Sequence, residues 1–330
     1  MARVIITGGT GFVGANLARR LLHEGHEVNL LVRQGYTSWR INDIGSDLRL
    51  HTVDLGDRDS LIRIVDKIRP DWIFHLAAYG GTVSQNDCRQ MVETNVVGTI
   101  NLVEACLNVG FQAFVNTGSS SEYGFKHNAP SETEWLEPNS HYAVTKASAS
   151  LFCRYTAQSQ GVHMPTLRLY SVYGPMESSN RLLPKLITLG LEGKLPPLVS
   201  PETAHDFVYV DDVIDAYMLA AKNPSQEAGA IYNVGTGVQM PLREVVEVAR
   251  RVMGITVEPV WGSMPSRRWD TDRWVADIRK IEKKLGWQPW HTFEEGFRQM
   301  VNWYKCRGRR AASRRAPQSS PSDTAGPLLR

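Results

Sequence analysis

The 330-residue sequence predicts an α/β fold: an open, doubly wound parallel sheet with helices on both faces. In its first half, short apolar runs alternate with amphipathic stretches, as in strand–helix–strand units. Right-handed crossovers wind such units into one sheet. The predicted strands are 4–6, 27–32, 48–53, 72–76, 113–117 and 165–169, and the predicted helices between them are 12–23, 60–68, 91–108 and 141–160.

The alternation of strands and helices breaks after residue 175, where prolines interrupt the chain. This change predicts a smaller second lobe that is interwoven with the first. Its predicted helices are 182–191, 212–221, 242–253 and 292–304, and its predicted strand, 230–234, is expected to return to the main sheet.

Composition and charge narrow the class of protein. Hydrophobic residues make up 42% of the chain, which is enough for a large buried core, and the formal net charge is only +3. Seven basic residues and one acid lie between residues 305 and 330, in a segment rich in Arg, Ala, Ser and Pro. We expect this segment to be a disordered basic tail. No nucleic-acid-binding surface is expected on the remaining chain, which is mildly acidic.

The four cysteines lie far apart in the sequence, so neither a zinc site nor a disulfide framework is predicted. There is no run of about 18 apolar residues, and the N-terminus leads directly into a strand pattern. We therefore expect a soluble, cytoplasmic protein without a metal site or a membrane segment.

A glycine-rich loop joins the first predicted strand to the first helix. Gly8, Gly11 and Gly14 are spaced three residues apart, where a tight turn lets a pyrophosphate approach backbone N–H groups. The N-terminus of the following helix adds about half a positive charge. In this context the loop predicts a Rossmann-type, dinucleotide-binding domain. The predicted contacts in the loop are Gly8, Thr10, Gly11, Phe12, Val13 and Gly14.

The end of the second strand distinguishes between NAD(H) and NADP(H). An acid there would bind the adenosine ribose and repel a 2′-phosphate, but the residue is Arg33, and Arg40 follows shortly after. Because a guanidinium pairs well with a phosphate, we favour NADP(H) and keep NAD(H) as the alternative. Asp54 and Leu55 end the third strand and are predicted to contact the adenine, although Asp54 is equally suited to start a helix.

Tyr142 and Lys146 form a candidate acid–base pair. Their spacing places them on one helix face, about 6 Å apart along the axis. A phenol with a pKa of about 10 is a poor base at neutral pH, and lowering its pKa to about 7 takes roughly 4 kcal/mol. An ammonium about 4 Å away supplies an interaction of that order at an effective dielectric constant of about 20. We therefore expect Lys146 to lower the pKa of Tyr142.

A serine-rich turn, Ser119, Ser120 and Ser121, follows the strand at 113–117. The carboxyl end of a strand in such a sheet faces the crevice where ligands bind. A serine there could share a substrate hydroxyl with Tyr142, but any one of the three could also be an ordinary turn residue.

Together with these features, several longer blocks match one family. The combined pattern resembles the extended short-chain dehydrogenase/reductase family, and within it the nucleotide-sugar epimerases, dehydratases and reductases. The resemblance covers about residues 3–304. Its further blocks are 75–78, 94–99 with Asn95, 142–146, 168–175, 206–212, 233–237, 276–280 and 285–289.

This resemblance implies roles for individual residues. Tyr142 is the acid or base, Lys146 holds the cofactor ribose and lowers the tyrosine pKa, and Ser119 assists, or Ser120 if the comparison contains a one-residue deletion. Supporting candidates are Ser120, Ser121, Glu122 and Asn95. Further cofactor contacts are Leu76, Ala77, Ala78, Thr117, Tyr142, Lys146, Tyr170 and Val172. Substrate contacts are Tyr79, Ser119, Ser120, Asn180, Leu182, Pro197, Leu198, His205 and Arg268, with His205 standing where many members have arginine.

The same resemblance implies two domains. Residues 1–175 form the NAD(P)-binding domain, with returning segments near 205–235. Residues 176–304 form a discontinuous substrate-binding lobe, and residues 305–330 the tail. A homodimer formed through the helices near 91–108 and 141–160 is also implied.

Within this group, chemistry starts with hydride transfer at C4 of the sugar while Tyr142 moves the hydroxyl proton. A 4,6-dehydratase also needs an acid–base pair beside the serine. When the positions are counted back from Tyr123 and Gly124 without a gap, Ser121 stands where the dehydratases have a glutamate. If a one-residue gap is allowed, Glu122 stands there instead. Residues 32–41 also resemble the NADP-binding loop of GDP-mannose dehydratases. We favour an NAD(P)-dependent 4-epimerase or 4-ketoreductase and keep an NDP-hexose 4,6-dehydratase as the alternative.

A non-catalytic dinucleotide-binding protein with an RNA- or partner-binding tail is the alternative of another class. Such a protein has no need of Tyr142 and Lys146, and the basic tail lacks interleaved aromatic residues. We therefore predict an enzyme whose partner is a nucleotide-diphosphate sugar.

Overall fold

The structure, a computed structural model, describes residues 1–82, 84–265 and 273–315, and side chains as far as residue 307. The elements of the first half are β1 (Arg3–Thr7), α1 (Phe12–His23), β2 (Glu27–Val32), β3 (Arg49–Thr52), α2 (Arg58–Ile68), β4 (Trp72–His75), α3 (Cys88–Val92), α4 (Gly98–Val109), β5 (Ala113–Ser119), α5 (His141–Gln160) and β6 (Thr166–Leu169). Those of the second half are β7 (Ser171–Tyr173), α6 (Leu182–Gly190), β8 (Ala204–His205), β9 (Phe207–Tyr209), α7 (Val210–Lys222), β10 (Ile231–Val234), β11 (Met240–Pro241), α8 (Leu242–Met253), α9 (Arg279–Leu285) and α10 (Phe293–Arg315).

Seven parallel strands of the described chain form the central sheet, in the order β10-β6-β5-β4-β1-β2-β3. The winding direction changes between β1 and β4, and ligands in such sheets bind outside the carboxyl ends of the strands at this point. The predicted doubly wound, Rossmann-type fold is confirmed.

The inner strands are largely apolar because helices cover both faces of the sheet, whereas the edge strand β3 is largely exposed. Val4 and Ile6 belong to one core cluster and Ile5 to the cluster on the opposite face, and all three side chains are fully buried. Each face of β1 therefore anchors one helical layer, which fixes the position of the glycine loop that follows.

The second lobe carries two small sheets, formed by β8 with β11 and by β7 with β9. The segment Ile231–Val234 pairs with β6 and so belongs to the main sheet. Trp287 is buried and donates from Nε1 to the carbonyl of Asp212 at 2.8 Å, which ties the C-terminal part of the chain to α7.

Two helices differ from the predicted elements. The helix predicted at 91–108 is interrupted by a π-helical turn over Glu93–Val97, which contains the buried Asn95. The last helix continues past the predicted end at residue 304 to Arg315, where disorder was predicted, because Arg, Lys and Ala are good helix formers. None of the described helices is long and apolar enough to cross a membrane.

Candidate active site

The glycine loop is shaped by close backbone approaches that exclude side chains. Gly8 has a φ of +69°, and a Cβ there would lie 2.6 Å from the carbonyl carbon of Leu76. A Cβ at Gly14 would lie 2.4 Å from the oxygen of Gly8. Gly11 precedes α1 and offers no side-chain cap, so the N–H groups of its first turn remain available for a pyrophosphate. The loop thus fits a dinucleotide, as predicted, with Thr10, Phe12 and Val13 half-buried beside it.

The two arginines near the end of β2 differ in their surroundings. Arg33 is exposed directly after the strand. Arg40 is half-buried, donates to the carbonyl of Met176 at 2.8 Å and to Oγ of Ser178 at 3.1 Å, and packs over the Trp39 ring. Arg40 therefore joins the cofactor side of the sheet to the start of the second lobe. The exposed Asp54 accepts from the N–H of Gly56 at 2.8 Å, and Leu55 lies half-buried next to it.

A buried hydrogen-bonded chain supports the loop after β4, which contains Leu76, Ala77 and Ala78. His75 bonds Thr7 Oγ1 at 2.7 Å and Thr99 Oγ1 at 2.8 Å, and burial lowers the pKa of His75 to about 3. Thr7 Oγ1 also accepts from the N–H of Ala77. The neutral imidazole therefore holds this loop against β1.

Asn95 also has a supporting role. Its side chain bonds both backbone groups of Tyr79 at 2.8 Å and donates to Thr145 Oγ1 at 2.9 Å. It thereby joins the loop after β4 to α5 close to Tyr142.

Ser119 and Tyr142 meet at the carboxyl end of β5. The side chain of Ser119 lies close enough to the Tyr142 hydroxyl to oppose the rise of its pKa, and Ser119 Oγ lies 2.8 Å from Ser121 Oγ. The structure therefore brings Ser119, and not Ser120, to the tyrosine. Ser120 instead accepts from the indole of Trp274 at 3.1 Å.

Lys146 lies one turn along α5 and is buried. Its ammonium donates to the backbone carbonyl of Thr117, whose hydroxyl bonds that of Tyr217 at 2.6 Å. Burial lowers the pKa of Lys146, and the charge of Glu122 opposes this effect.

The expected lowering of the tyrosine pKa is wrong for this structure. Burial and the charge of Glu122 raise the pKa of Tyr142 above its ordinary value, which outweighs the opposing effects of Ser119 and Arg181. The ammonium of Lys146 donates to the carbonyl of Thr117. Tyr142 therefore carries its proton at neutral pH.

Glu122 does not face the crevice. Its side chain is fully buried, pairs with Arg168 at 2.8 Å, and accepts from the backbone N–H of Ser119 and the hydroxyl of Ser150. Glu122 is therefore not placed to act as a catalytic acid or base, as the sequence had suggested. Its carboxylate is buried in the core, where it forms an ion pair with Arg168.

The predicted substrate contacts fall into three groups. Tyr79, Leu182 and His205 are half-buried, and Asn180 and Pro197 are exposed. Leu198 is 1% exposed and packs in the hydrophobic core, so a substrate contact through its side chain is wrong. Arg268 lies outside the described residues. Of the two cofactor candidates after β6, Tyr170 is buried and Val172 half-buried.

Sequence reasoning missed Trp274 and Arg181. Trp274 lines a cleft with Ser120 and Tyr170, with its ring 6.5 Å from that of Tyr170. Arg181 donates to the carbonyl of Gly81 at 3.1 Å and lowers the pKa of Tyr142. Neither residue belongs to a motif of regular spacing, so only the folded chain reveals its position.

Among the described residues, no group of His, Cys, Asp and Glu is arranged to hold a metal ion. The site therefore consists of a glycine loop suited to a pyrophosphate, a polar crevice, and the side chains of Tyr142, Ser119 and Lys146. All three features lie at the carboxyl edge of one parallel sheet. These features are typical of a dinucleotide-dependent enzyme, with a phenol positioned where it can move a proton.

Residues 4–235 match the model of the NAD dependent epimerase/dehydratase family, and the chain belongs to this family. It is therefore an enzyme with a nicotinamide dinucleotide cofactor. It is 28% identical over 312 residues to a dTDP-glucose 4,6-dehydratase from Streptomyces griseus, a match that covers 91% of this chain and 93% of that protein.

Solved structures show the same likeness. A UDP-glucose 4-epimerase from Thermotoga maritima, determined with UDP-glucose, has a TM-score of 0.84 and 26% identity, covering 92% of this chain and 99% of the other. A UDP-glucose 4-epimerase from Thermus thermophilus, determined with NAD, has a TM-score of 0.81 and 30% identity with the same two coverages.

Proposed function

We propose that the enzyme is a nucleotide-sugar 4-epimerase or 4-ketoreductase. The observation that carries this proposal is the contact of Tyr142 with Ser119 at the carboxyl end of β5, on the sheet edge that also carries the glycine loop. The related proteins named above act on nucleotide hexoses, which supports the same substrate class.

The nicotinamide dinucleotide, when bound, supplies a hydride acceptor and donor. The hydroxyls of Ser119 and Tyr142 are placed to converge on one sugar oxygen at C4. Tyr142 moves the proton of that oxygen, and Ser119 fixes its position. Lys146, held at the carbonyl of Thr117, lies on the same face of α5, where it can reach the cofactor ribose.

The buried position of Glu122 argues against a 4,6-dehydratase. Elimination of water across C5 and C6 needs an acid–base pair beside the serine, but Ser120 and Ser121 occupy the neighbouring positions. The carboxylate of Glu122 is fully buried with Arg168. We therefore keep the dehydratase only as the second candidate.

The test is incubation of the purified protein with UDP-, GDP-, CDP- and dTDP-hexoses and with the corresponding nucleotide 4-keto sugars, with and without NADPH, followed by chromatography and mass spectrometry. An epimerase yields a product of unchanged mass, and a ketoreductase adds two hydrogens to a 4-keto substrate only when NADPH is present. A product that has lost one water without added reductant would favour the dehydratase.

We further propose NADP(H) as the preferred cofactor, with NAD(H) as the alternative. The exposed Arg33 stands directly after β2, where an adenosine 2′-phosphate would lie. A hydrogen bond to a charged group contributes about 1.5–3 kcal/mol, so Arg33→Ala is expected to weaken NADPH binding about 10- to 100-fold and NADH binding little. Fluorescence titration with both reduced cofactors measures this, with Arg63→Ala on α2 as the control. Tighter binding of NADH by the unaltered protein would reverse the preference.

We propose that residues 1–175, with returning segments near 205–235, form the NAD(P)-binding domain and that residues 176–304 form a discontinuous lobe that binds the nucleotide sugar. Asn180, Leu182, Pro197 and His205 are the candidates on this lobe. The four cysteines are free thiols, which is consistent with the cytoplasmic location that we propose.

We propose that the protein forms a homodimer through α3, α4 and α5. Apolar side chains on these helices are exposed: Val92, Val144, Leu151 and Tyr155 are 41%, 46%, 52% and 70% accessible. The last three lie seven and four residues apart, on one face of α5. Leu151→Arg is expected to give a monomer in analytical ultracentrifugation, whereas Leu191→Arg, at another exposed leucine, leaves the mass unchanged. A monomeric unaltered protein would contradict this proposal.

A further inference from the structure

Glu122 is a buried carboxylate that the proposed hydride-transfer chemistry does not use. It lies in the short turn after β5, directly beneath Ser119, and none of its surface is exposed. Its Oε1 accepts from the N–H of Ser119 at 2.8 Å and from the hydroxyl of Ser150 at 2.9 Å. Its other oxygen, Oε2, accepts from Nε of Arg168 at 2.8 Å. Oε1 thus has two partners and Oε2 one, and the two oxygens share none.

The chain makes room for this ion pair. A Cβ at Gly118 would lie 2.8 Å from Oε1 of Glu122 and 3.0 Å from Cγ of Arg168. The Arg168 guanidinium also packs over the Tyr123 ring at 4.5 Å. The missing side chain at Gly118 therefore lets the pair lie against β5, where the carboxylate accepts from the N–H of Ser119.

The ion pair is oriented with respect to the acid–base residues. Oε1 faces Ser119, which in turn contacts Tyr142, whereas Arg168 holds the opposite side of the carboxylate. A negative charge behind Ser119 disfavours the phenolate and favours the ammonium. In agreement, Glu122 acts to raise the pKa of both Tyr142 and Lys146, although burial still keeps the pKa of Lys146 below its ordinary value.

We propose that Glu122 is a positioning residue that fixes Ser119 and keeps Tyr142 protonated, so that the site is arranged to donate a proton to a sugar keto group. The first part concerns this chain alone. The second part, a preference for reduction, rests on the proposed function and favours the 4-ketoreductase within it.

Other charged and titratable groups also face these residues. Arg168 on β6 and Tyr123 in the turn face Glu122, and Lys146 and Cys153 on α5 lie near it. Arg181 before α6 and Tyr217 on α7 face Tyr142. Of these, Arg181 opposes the effect of Glu122 on the tyrosine, but the net pKa of Tyr142 remains raised.

The experiment measures the ionisation of Tyr142 without substrate. The protein is saturated with NADPH, and the phenolate absorbance of Tyr142 is isolated as the difference between the protein and its Tyr142→Phe variant across a pH titration. The same difference is measured in the Glu122→Gln background. Glu132→Gln is the matched control, because Glu132 is also a buried carboxylate that accepts a backbone N–H, that of Asn233, but it does not act on Tyr142.

We expect Tyr142 to ionise above its ordinary pKa of about 10 in the unaltered protein. Glu122→Gln is expected to lower this pKa by about one unit, and Glu132→Gln to leave it unchanged. In the reductive direction, activity that needs the protonated phenol falls as pH rises through this pKa. The same fall therefore occurs about one pH unit lower in Glu122→Gln.

Ionisation of Tyr142 at or below its ordinary pKa in the unaltered protein would overturn the proposal, even if Glu122→Gln did not fold. An unchanged pKa in Glu122→Gln, or an equal shift in Glu132→Gln, would also overturn it. Because the titration needs no sugar, a failure to turn over any nucleotide hexose would count against the proposed function and not against the role of Glu122 in holding the proton.

Discussion

Replacing Tyr142 by phenylalanine is expected to lower kcat by about 10²- to 10⁴-fold, the usual contribution of a positioned acid–base group. The change removes only the hydroxyl that contacts Ser119 and keeps the ring, which packs beside Gly80 and Met91. Cofactor affinity should therefore stay the same. Steady-state kinetics with the substrate found by profiling, and fluorescence titration with NADPH, measure the two effects separately.

Tyr155→Phe is the matched control for this prediction. Tyr155 lies on the same helix, α5, but its side chain is exposed. It should retain full activity. Retained turnover in Tyr142→Phe would contradict the assigned role, and an equal loss of cofactor affinity would show that the hydroxyl binds the cofactor instead.

Gly14→Ala is expected to weaken dinucleotide binding by roughly 10- to 100-fold, because overpacking of this kind costs about 1–3 kcal/mol. The new Cβ would lie 2.4 Å from the oxygen of Gly8 and 2.9 Å from Cα of Gly9. Both contacts are with backbone that cannot rotate away, so the loop and the first turn of α1 must separate. The N–H groups at this helix end then no longer converge on one phosphate.

Gly45→Ala serves as the control, because no atom lies within 4 Å of a Cβ at that position. Isothermal titration calorimetry with NADPH and NADH measures the affinities, and circular dichroism confirms that each variant is folded. Unchanged affinity in a folded Gly14→Ala protein would be inconsistent with a pyrophosphate held at this loop.

The central sheet was predictable because its inner strands are buried on both faces and appear as apolar runs between turn residues. The short strands β7, β8, β9 and β11 were missed, since two or three residues are too few to show an alternation. The π-helical turn at Glu93–Val97 was missed for a related reason: one turn of different pitch does not disturb the apolar pattern of the flanking helices.

In the candidate site, too, residues that belong to local patterns could be predicted, whereas contacts between residues far apart in sequence could not. Tyr142 and Lys146 were identified from their helical spacing, whereas the end of β5 indicated only a serine of the turn, and the family resemblance favoured Ser119 with Ser120 as the alternative. The direction of the tyrosine pKa was not predictable, because it depends on burial and on Glu122. The ion pair of Glu122 with Arg168 joins residues far apart in sequence, and only the neighbouring positions of β5 and β6 bring them together.

The central claim, hydride transfer at C4 of the sugar with Tyr142 as the proton carrier, is tested most directly by isotope tracing. A nucleotide hexose deuterated at C4 is incubated with the enzyme and oxidised cofactor for a single turnover, and the products are examined by mass spectrometry. We expect the deuterium to be found in the nicotinamide ring or at C4 of the product. Tyr142→Phe is expected to form far less of both labelled species. Deuterium released to water during turnover would contradict the account, because it would show that C4 loses its hydrogen as a proton.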